Sequence, residues 1–208
     1  MKAEKASHKR LKFLPVLFRK QDAEKVTSHP GMFLTRALQK GLIHRLNRGN
    51  YINSFLHGFP GVEEVACFLK PPSYISCEWA LNYHGITLQS PAVCTVVTLS
   101  TSVGKKRSVQ YQGITIEFSR ISPLLFFGFT YQNRHYMASP EKAILDTIYY
   151  RKAIPAQDEL EIDEVDFNLL SEWAKRFPAY VSRSVRSLSN ILAGQCNHGK
   201  PVPQKNLV

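Results

Sequence analysis

The sequence predicts an α+β protein in which a small basic module of three helices and a hairpin precedes a mixed α/β domain with an antiparallel sheet and several helices. Hydrophobic residues occupy 44% of the 208 positions and aromatic residues 11%, as in folded proteins. Helical and alternating apolar patterns follow one another along the chain. The net charge of +11 is concentrated at one end, where residues 1–50 hold 12 Lys and Arg against 3 Asp and Glu.

The N-terminal module begins with two helical patterns. Lys, Arg, Leu and Phe recur at helical spacing over residues 5–18, a pattern that ends near Pro15. Residues 19–28 suit a second short helix because Asp22 and Glu24 lie in its first turn, where the helix dipole favours acids.

A third helix begins at Pro30, a residue favoured at the first helical position, and ends at Gly41, which tolerates the left-handed conformation of a helix end. Apolar residues at helical spacing predict its buried stripe: Leu34, Ala37, Leu38 and Leu42. Polar and basic residues, with one methionine, form the opposite face: Met32, Thr35, Arg36, Gln39 and Lys40.

A hairpin follows, with strands at 42–46 and 50–52 and a turn at Asn47, Arg48 and Gly49. Three helices and a hairpin within about fifty residues are the plan of a winged helix-turn-helix. We therefore predict such a domain over residues 1–57, and the Gly/Pro cluster at 58–61 marks its boundary.

The second predicted domain spans residues 62–195, and a mobile tail follows over 196–208. Ser76 and Gly85 are placed to cap the two ends of a helix in which the spacing of Trp79, Ala80 and Tyr83 puts them on one face. A β-branched strand is predicted at 93–99. Hairpins follow at 108–118, turning at Gln112-Gly113, and at 124–138, turning near Asn133. The last predicted elements are a helix at 139–152 with Ser139 as its N-cap and helices at 165–177 and 180–193.

The third helix and the hairpin form the strongest functional candidate, because the stretch 31–51 carries basic residues and no acid. A helix enters the major groove of DNA, and a hairpin wing reaches the flanking phosphates. The predicted DNA-binding residues are Met32, Thr35, Arg36, Gln39, Lys40, Arg45, Arg48 and Asn50. The competing interpretation is a basic helical hairpin with no ligand. A second basic run, Lys105, Lys106 and Arg107, is either an exposed hairpin tip or a contact for nucleic acid or a partner.

Signals for enzymatic chemistry are weak. The sequence has no phosphate-binding glycine loop and no G-x-S-x-G elbow, and its histidines are scattered. Its four cysteines fit no zinc spacing. Because all of these motifs are missing from the sequence, we expect no catalytic residues, metal or cofactor. No apolar run is long enough to cross a membrane, and apolar surroundings of three cysteines favour a reduced, cytoplasmic location. The acidic stretch 158–166 is either a solvated loop entering a helix or a contact for a basic partner.

The order of four motifs resembles the AbiEi family of antitoxins from type IV, abortive-infection toxin–antitoxin systems. The motifs are "ALQKGLIHRLNRGNYI", "PPSYISCEWALNYHGI", "FFGF" and "SPEKAILD", and the resemblance runs from about residue 18 to about residue 180. It implies a winged-helix domain that represses its own operon and a C-terminal antitoxin domain that counters a nucleotidyltransferase-type toxin, directly or indirectly. We expect double-stranded operator DNA with inverted repeats as one partner, bound by two copies.

Two other functions fit the same residues. The chain is then either a stand-alone winged-helix repressor without a toxin, or a nucleic-acid-modifying enzyme that uses Glu141 and Asp146. A neighbouring nucleotidyltransferase gene distinguishes the first alternative from an antitoxin. Turnover with a metal requirement would identify the second.

Overall fold

The structure is a computed structural model that describes residues 8–153 and 165–198. For residues 56, 57, 105 and 191–198 it describes the backbone alone. The chain is of the α+β class. Residues 8–11 are helical. The N-terminal elements that follow are β1 (Leu17–Arg19), α1 (Lys20–Glu24), α2 (Pro30–Gln39), β2 (His44–Asn47), β3 (Asn50–Ile52) and α3 (Ser54–His57).

The predicted helix over 5–18 is wrong beyond Leu11. Residues Leu17–Arg19 instead form an antiparallel strand against β3, in a three-stranded sheet of order β1-β3-β2. The reason is a long-range contact: the buried amide of Asn53 donates to the carbonyl oxygens of Leu11 at 2.8 Å and Leu14 at 3.1 Å. In a continuing helix the Leu11 carbonyl would face Pro15, which has no N–H, and the Leu14 carbonyl would face the Phe18 amide. Asn53 satisfies both carbonyls instead.

A separate hydrophobic core lies beneath these elements. Apolar side chains from the first helix, β1, α2 and β3 share it, and its buried members are Leu11, Leu14, Phe18, Ala23, Phe33, Leu34, Ala37, Ile43 and Tyr51. The predicted stripe of α2 is confirmed at Leu34 and Ala37, whereas Leu38 and Leu42 are partly buried. Burial of this apolar area is the main term that holds three short helices together.

The rest of the described chain forms a six-stranded sheet with flanking helices. Its elements are α4 (Val62–Leu69), β4 (Ser73–Ser76), α5 (Cys77–Tyr83), β5 (Val93–Thr98), a 3₁₀ turn (Lys105–Arg107), β6 (Val109–Tyr111), β7 (Ile114–Arg120), a second 3₁₀ turn (Pro123–Leu125), β8 (Phe129–Gln132), β9 (His135–Ala138), α6 (Pro140–Arg151), α7 (Phe167–Ala174) and α8 (Ala179–His198).

The sheet has the strand order β6-β7-β5-β4-β9-β8. It is mixed rather than antiparallel as predicted, because β5 pairs with β7 in parallel, from Val93 opposite Thr115 to Thr98 opposite Arg120. The cause is the hairpin of β6 and β7, which reverses the chain before β7 returns beside β5. The predicted turns are confirmed, since Gln112 and Gly113 both have positive φ, as do Asn133 and Arg134.

Helix α5 corrects two details of the prediction. Ser76 does precede the helix, but its side chain makes no capping bond and donates to Asp146 at 2.8 Å. The buried face consists of Cys77, Ala80 and Leu81, whereas Tyr83 is 44% exposed. Local spacing could not reveal that a partner seventy positions away competes for the serine hydroxyl.

The later helices follow the prediction more closely. The N-cap of α6 is confirmed, since the Ser139 hydroxyl accepts from the Lys142 amide at 3.3 Å. Asp166 caps α7 in the same way. Helix α8 continues to His198, so residues 196–198 of the predicted tail are helical. The remainder of that tail, and residues 158–164 of the acidic stretch, lie outside the described residues.

The chain consists of two compact units. Unit 1 comprises Met1–Ile75, Ala92–Ile121 and Tyr131–Tyr136, and unit 2 comprises Ser76–Pro91, Ser122–Thr130 and Met137–Val208. Inside unit 1, the segment 58–61 contacts two strands: the Tyr111 hydroxyl of β6 donates to the Pro60 carbonyl at 2.7 Å, and the Phe59 ring lies 4.9 Å from that of His44 in β2. Over residues 8–153 and 165–198, no helix is both long and apolar enough to cross a membrane.

Candidate nucleic-acid interface

Helix α2 presents the predicted face to solvent. Met32, Thr35, Arg36, Gln39 and Lys40 are all exposed, while Phe33, Leu34 and Ala37 on the other side are buried. The Thr35 hydroxyl donates to the Gly31 carbonyl one turn earlier at 3.0 Å. The sequence assignment of these residues to one exposed surface therefore agrees with their positions in the structure.

The end of α2 is fixed by backbone geometry. Gly41 adopts φ +65°, a left-handed conformation that costs glycine little. This turn lets the Gly41 amide donate to the Leu38 carbonyl at 3.0 Å and the Leu42 amide donate to the Ala37 carbonyl at 3.0 Å. The chain therefore leaves the helix directly into β2, so that the helix and the hairpin follow each other with a short connection.

The hairpin places its polar residues on and beside the turn. Arg48 is exposed in the turn, and Arg45 is exposed with its Nε donating to the Asn47 carbonyl at 3.2 Å. Asn50 is half-buried, and its side-chain amide donates to the Asn47 side chain at 2.5 Å. The two arginines are therefore available to a ligand, whereas Asn50 supports the turn from within the protein.

The turn is also tied to the first part of the chain. The Lys20 amide at the start of α1 donates to the Gly49 carbonyl at 2.9 Å. At the same helix, Asp22 accepts from the Arg19 amide at 2.9 Å and pairs with Lys25, and both interactions lower the pKa of its carboxyl group. The charged Asp22 side chain stabilises the start of α1. The same turn of α1 holds the hairpin turn through the bond from Lys20 to Gly49.

One of the two interpretations of the second basic run, an exposed hairpin tip, is wrong. Residues Lys105–Arg107 form a 3₁₀ turn in the connection between β5 and β6, not the tip of a hairpin. Lys106 and Arg107 are exposed. They belong to unit 1, as do α2 and the β2–β3 hairpin.

The basic charge of the chain is segregated between the two units. Unit 1 contains 18 Lys and Arg against 6 Asp and Glu, and unit 2 contains 9 against 10. The net charges are therefore +12 and −1, so unit 1 accounts for the whole excess. No acidic residue occurs between Lys25 and Val62, the stretch that contains α2 and the hairpin. A surface of this composition attracts polyanions over distances of the order of the Debye length.

Unit 2 contains a buried polar cluster that the sequence pattern did not reveal. Lys142 and Asp146, one turn apart on α6, form an ion pair with no exposed surface, and the Ser76 hydroxyl donates to Asp146. The rings of Phe127 and Phe177 lie 5.4 and 5.0 Å from the Lys142 nitrogen. Burial lowers the pKa of Lys142, and the Asp146 carboxylate opposes this effect. The available signal was a Lys and an Asp four apart in an apolar helix.

The two acids of the hypothetical enzyme are both bonded within the protein. Asp146 is buried in the ion pair with Lys142. Glu141 is 6% exposed and accepts hydrogen bonds from the Ser139 hydroxyl at 2.8 Å and the Asp166 amide at 3.1 Å. These contacts give each carboxylate a role in holding α6 in place. Among the described residues, no group of three or more His, Cys, Asp or Glu is arranged to hold a metal ion.

Two of the four motifs that resemble antitoxins each contribute to this buried cluster. Ser76 ends the "SYIS" motif, and Lys142 and Asp146 belong to the "SPEKA..D" motif. The hydrogen bond from the Ser76 hydroxyl to Asp146 joins the residue before α5 to α6 within unit 2. No protein-family model matches the chain, and no curated protein matches it.

Proposed function

We propose that helix α2 and the β2–β3 hairpin form a winged helix-turn-helix that binds double-stranded operator DNA. The observation that carries this proposal is the charge segregation: unit 1 has a net charge of +12, and α2 has an exposed face with Arg36 and Lys40 and no acid. The shape of α2 also suits this role, because a single helix fits into the major groove of B-DNA.

In this proposal the two elements have different tasks. Arg36 and Gln39 extend from the exposed face of α2 toward base edges, where arginine pairs with guanine and glutamine with adenine. Arg45 and Arg48 on the hairpin contact phosphates, which supply affinity without reading sequence. Lys106 and Arg107 extend the phosphate contact. Asn50, which bonds Asn47, contributes by holding the turn.

We further propose that the protein is an antitoxin of a type IV system that represses its own operon and counters a nucleotidyltransferase-type toxin. The support is the resemblance of the four motifs to AbiEi antitoxins, together with the nearly neutral charge of unit 2, which suits a partner other than nucleic acid. In this proposal unit 1 regulates transcription and the rest of the chain counters the toxin.

A gel-shift titration of the full-length protein with the DNA upstream of its own gene tests the first part. If a copy contacts about 4–6 phosphates, the logarithm of the association constant falls with the logarithm of salt with a slope of about −4 to −5. An unrelated duplex of equal length is the control. Equal affinity for both duplexes, or an affinity that salt leaves unchanged, contradicts specific DNA binding.

Co-expression with a neighbouring nucleotidyltransferase tests the second part. Restored growth in the presence of the chain supports the antitoxin function. Operator binding without any protection from that toxin indicates a stand-alone repressor instead.

A further inference from the structure

Unit 1 contains an open groove away from the residues proposed to bind duplex DNA. Its volume is about 1070 Å³. Its walls are the segment 12–17 that follows the first helix, one side of α4 at Glu64 and Phe68, and the β8–β9 hairpin from Tyr131 to Tyr136. None of the eight residues predicted to contact duplex DNA lines it.

Aromatic side chains on these walls are unusually exposed. Phe13 is 71% exposed, Tyr131 63% and Tyr136 42%. The ring centroids of the two tyrosines are 4.9 Å apart at an interplanar angle of 53°, so together they form an aromatic platform on the hairpin. Large apolar side chains that gather at one exposed place mark a site of interaction.

Two cations and one acid of the described chain lie beside the platform. Lys12 is exposed, and Arg134 lies at the hairpin turn with 71% of its side chain exposed. Among the described residues that line the groove, Glu64 is the acidic one, and its carboxylate lies 3.7 Å from the Arg134 guanidinium. The groove therefore combines ring faces with cations, inside the unit that carries a net charge of +12.

We propose that this groove binds single-stranded nucleic acid. Unpaired bases stack on Tyr131 and Tyr136, and Lys12 and Arg134 contact the phosphates of the same strand. Exposed aromatic faces beside cations are the combination by which proteins hold single strands, because every base has a face that stacks and every linkage has a charge. An acidic peptide would satisfy the cations but would leave the ring faces without flat partners.

The site goes beyond the proposed operator binding and is independent of it. Duplex DNA keeps its bases stacked on one another, so it cannot offer them to an aromatic platform. A strand held by Tyr131 and Tyr136 would come from a transcript or from melted DNA. Comparison of RNA with DNA oligonucleotides distinguishes these two sources.

The test measures fluorescence anisotropy of labelled twelve-nucleotide oligothymidine and oligouridine with the full-length protein. We expect the Tyr131→Ala/Tyr136→Ala variant to bind at least about fivefold more weakly, since each stacked base contributes about 1–3 kcal/mol. Tyr131→Phe/Tyr136→Phe keeps the ring faces and should retain affinity. Tyr83→Ala removes a tyrosine that is 44% exposed in unit 2 and is the matched control.

Arg48→Ala separates this site from the proposed duplex site. It should weaken operator binding and leave oligothymidine binding within about twofold. If Arg48→Ala abolishes both, the single strand binds at the hairpin wing and the groove proposal is wrong. Unchanged affinity of the double alanine variant also overturns it, as does competition by poly-glutamate at low concentration, which would indicate a peptide site. If the double variant does not fold, Lys12→Gln with Arg134→Gln replaces it, with the same fivefold expectation.

Discussion

The Tyr111 hydroxyl donates to the carbonyl oxygen of Pro60 across 2.7 Å, and this bond fastens β6 to the Gly/Pro segment that the sequence marks as a domain boundary. On the other side of the same segment, Phe59 contacts the ring of His44 in β2. The segment 58–61 is therefore anchored to a strand of each sheet. The extent of the two predicted domains remains a prediction, but a fragment that begins at residue 62 lacks the bond between Tyr111 and Pro60.

We predict that the bond between Tyr111 and Pro60 contributes to stability. Tyr111→Phe should lower the free energy of unfolding by about 1–3 kcal/mol, because the buried carbonyl of Pro60 loses its donor. A fragment that begins at residue 58 should also melt at a higher temperature than one that begins at residue 62. Urea titration and thermal melts followed by circular dichroism provide the measurements. Equal melting temperatures for the two fragments would show that the segment contributes nothing.

The two arginines of the proposed winged helix should have different effects on DNA binding. Arg36→Ala should cost about 1–3 kcal/mol on the operator and reduce base preference, because it removes a contact to a base edge. Arg48→Ala should weaken binding to all duplexes alike and reduce the salt slope by about one unit. Arg183→Ala removes an exposed arginine of unit 2 and serves as the charge-matched control. If all three variants bind like the parent, the assignment of this surface is wrong.

Removal of one member of the buried ion pair should be strongly destabilising. Lys142→Met leaves the Asp146 carboxylate buried with its ion-pair partner gone, and we expect a loss of about 3–5 kcal/mol. The double variant Lys142→Met/Asp146→Leu should recover most of that loss, because it leaves no buried charge. Denaturant titrations of the two variants and the parent measure the difference. If the double variant is less stable than Lys142→Met, the unpaired Asp146 carboxylate is not the cause of the loss, and the prediction is wrong.

Alkaline pH should destabilise the protein partly through Cys67. Burial raises the pKa of this thiol from 9.0 to about 11. Between these two pH values the folded state keeps a thiol proton that the unfolded state releases. The contribution of the protonated thiol to the free energy of unfolding is therefore fully present below pH 9 and is lost as the pH rises through 11. Cys67→Ala should reduce the pH dependence of the free energy of unfolding by up to about 1.4 kcal/mol per pH unit in this range. Parallel stability curves of variant and parent from pH 8.5 to 11 would contradict the assignment.

The N-cap of α6 should make a modest contribution. Ser139→Ala removes the hydroxyl that accepts from the Lys142 amide and should cost about 1 kcal/mol. Ser187→Ala, an exposed serine within α8, should change stability by less than about 0.5 kcal/mol. Chemical denaturation at neutral pH compares the two serines. Equal effects would mean that the cap is not a distinct source of stability.

Sequence patterns predicted local features well where a residue acts on its immediate neighbours. Gly41 ended a helix, Asn133 turned a hairpin and Ser139 capped α6, and in each case the backbone preference of one residue determines the structure. The exposed face of α2 could be predicted equally well, because the 3.6-residue period of a helix assigns each position to one side.

The errors arose where distant residues decide the structure. Asn53 binds the carbonyls that end the first helix, and Asp146 takes the hydroxyl of Ser76. Neither contact leaves a trace in local periodicity, because its partners are dozens of positions apart. The aromatic groove was missed for the same reason: Phe13 and Tyr131 line one surface only after the sheet has formed.

The pairing of Lys142 with Asp146 also limits how the chain can change during evolution. Replacement of either residue alone passes through a protein with an uncompensated charge in its interior, which removes a large part of the stability of a marginally stable domain. Neutral drift at these two positions is therefore restricted to joint replacement, while the exposed residues of α2 can vary one at a time. Descendants of this chain can consequently change the exposed surface of α2 quickly and still retain the same Lys–Asp pair in unit 2.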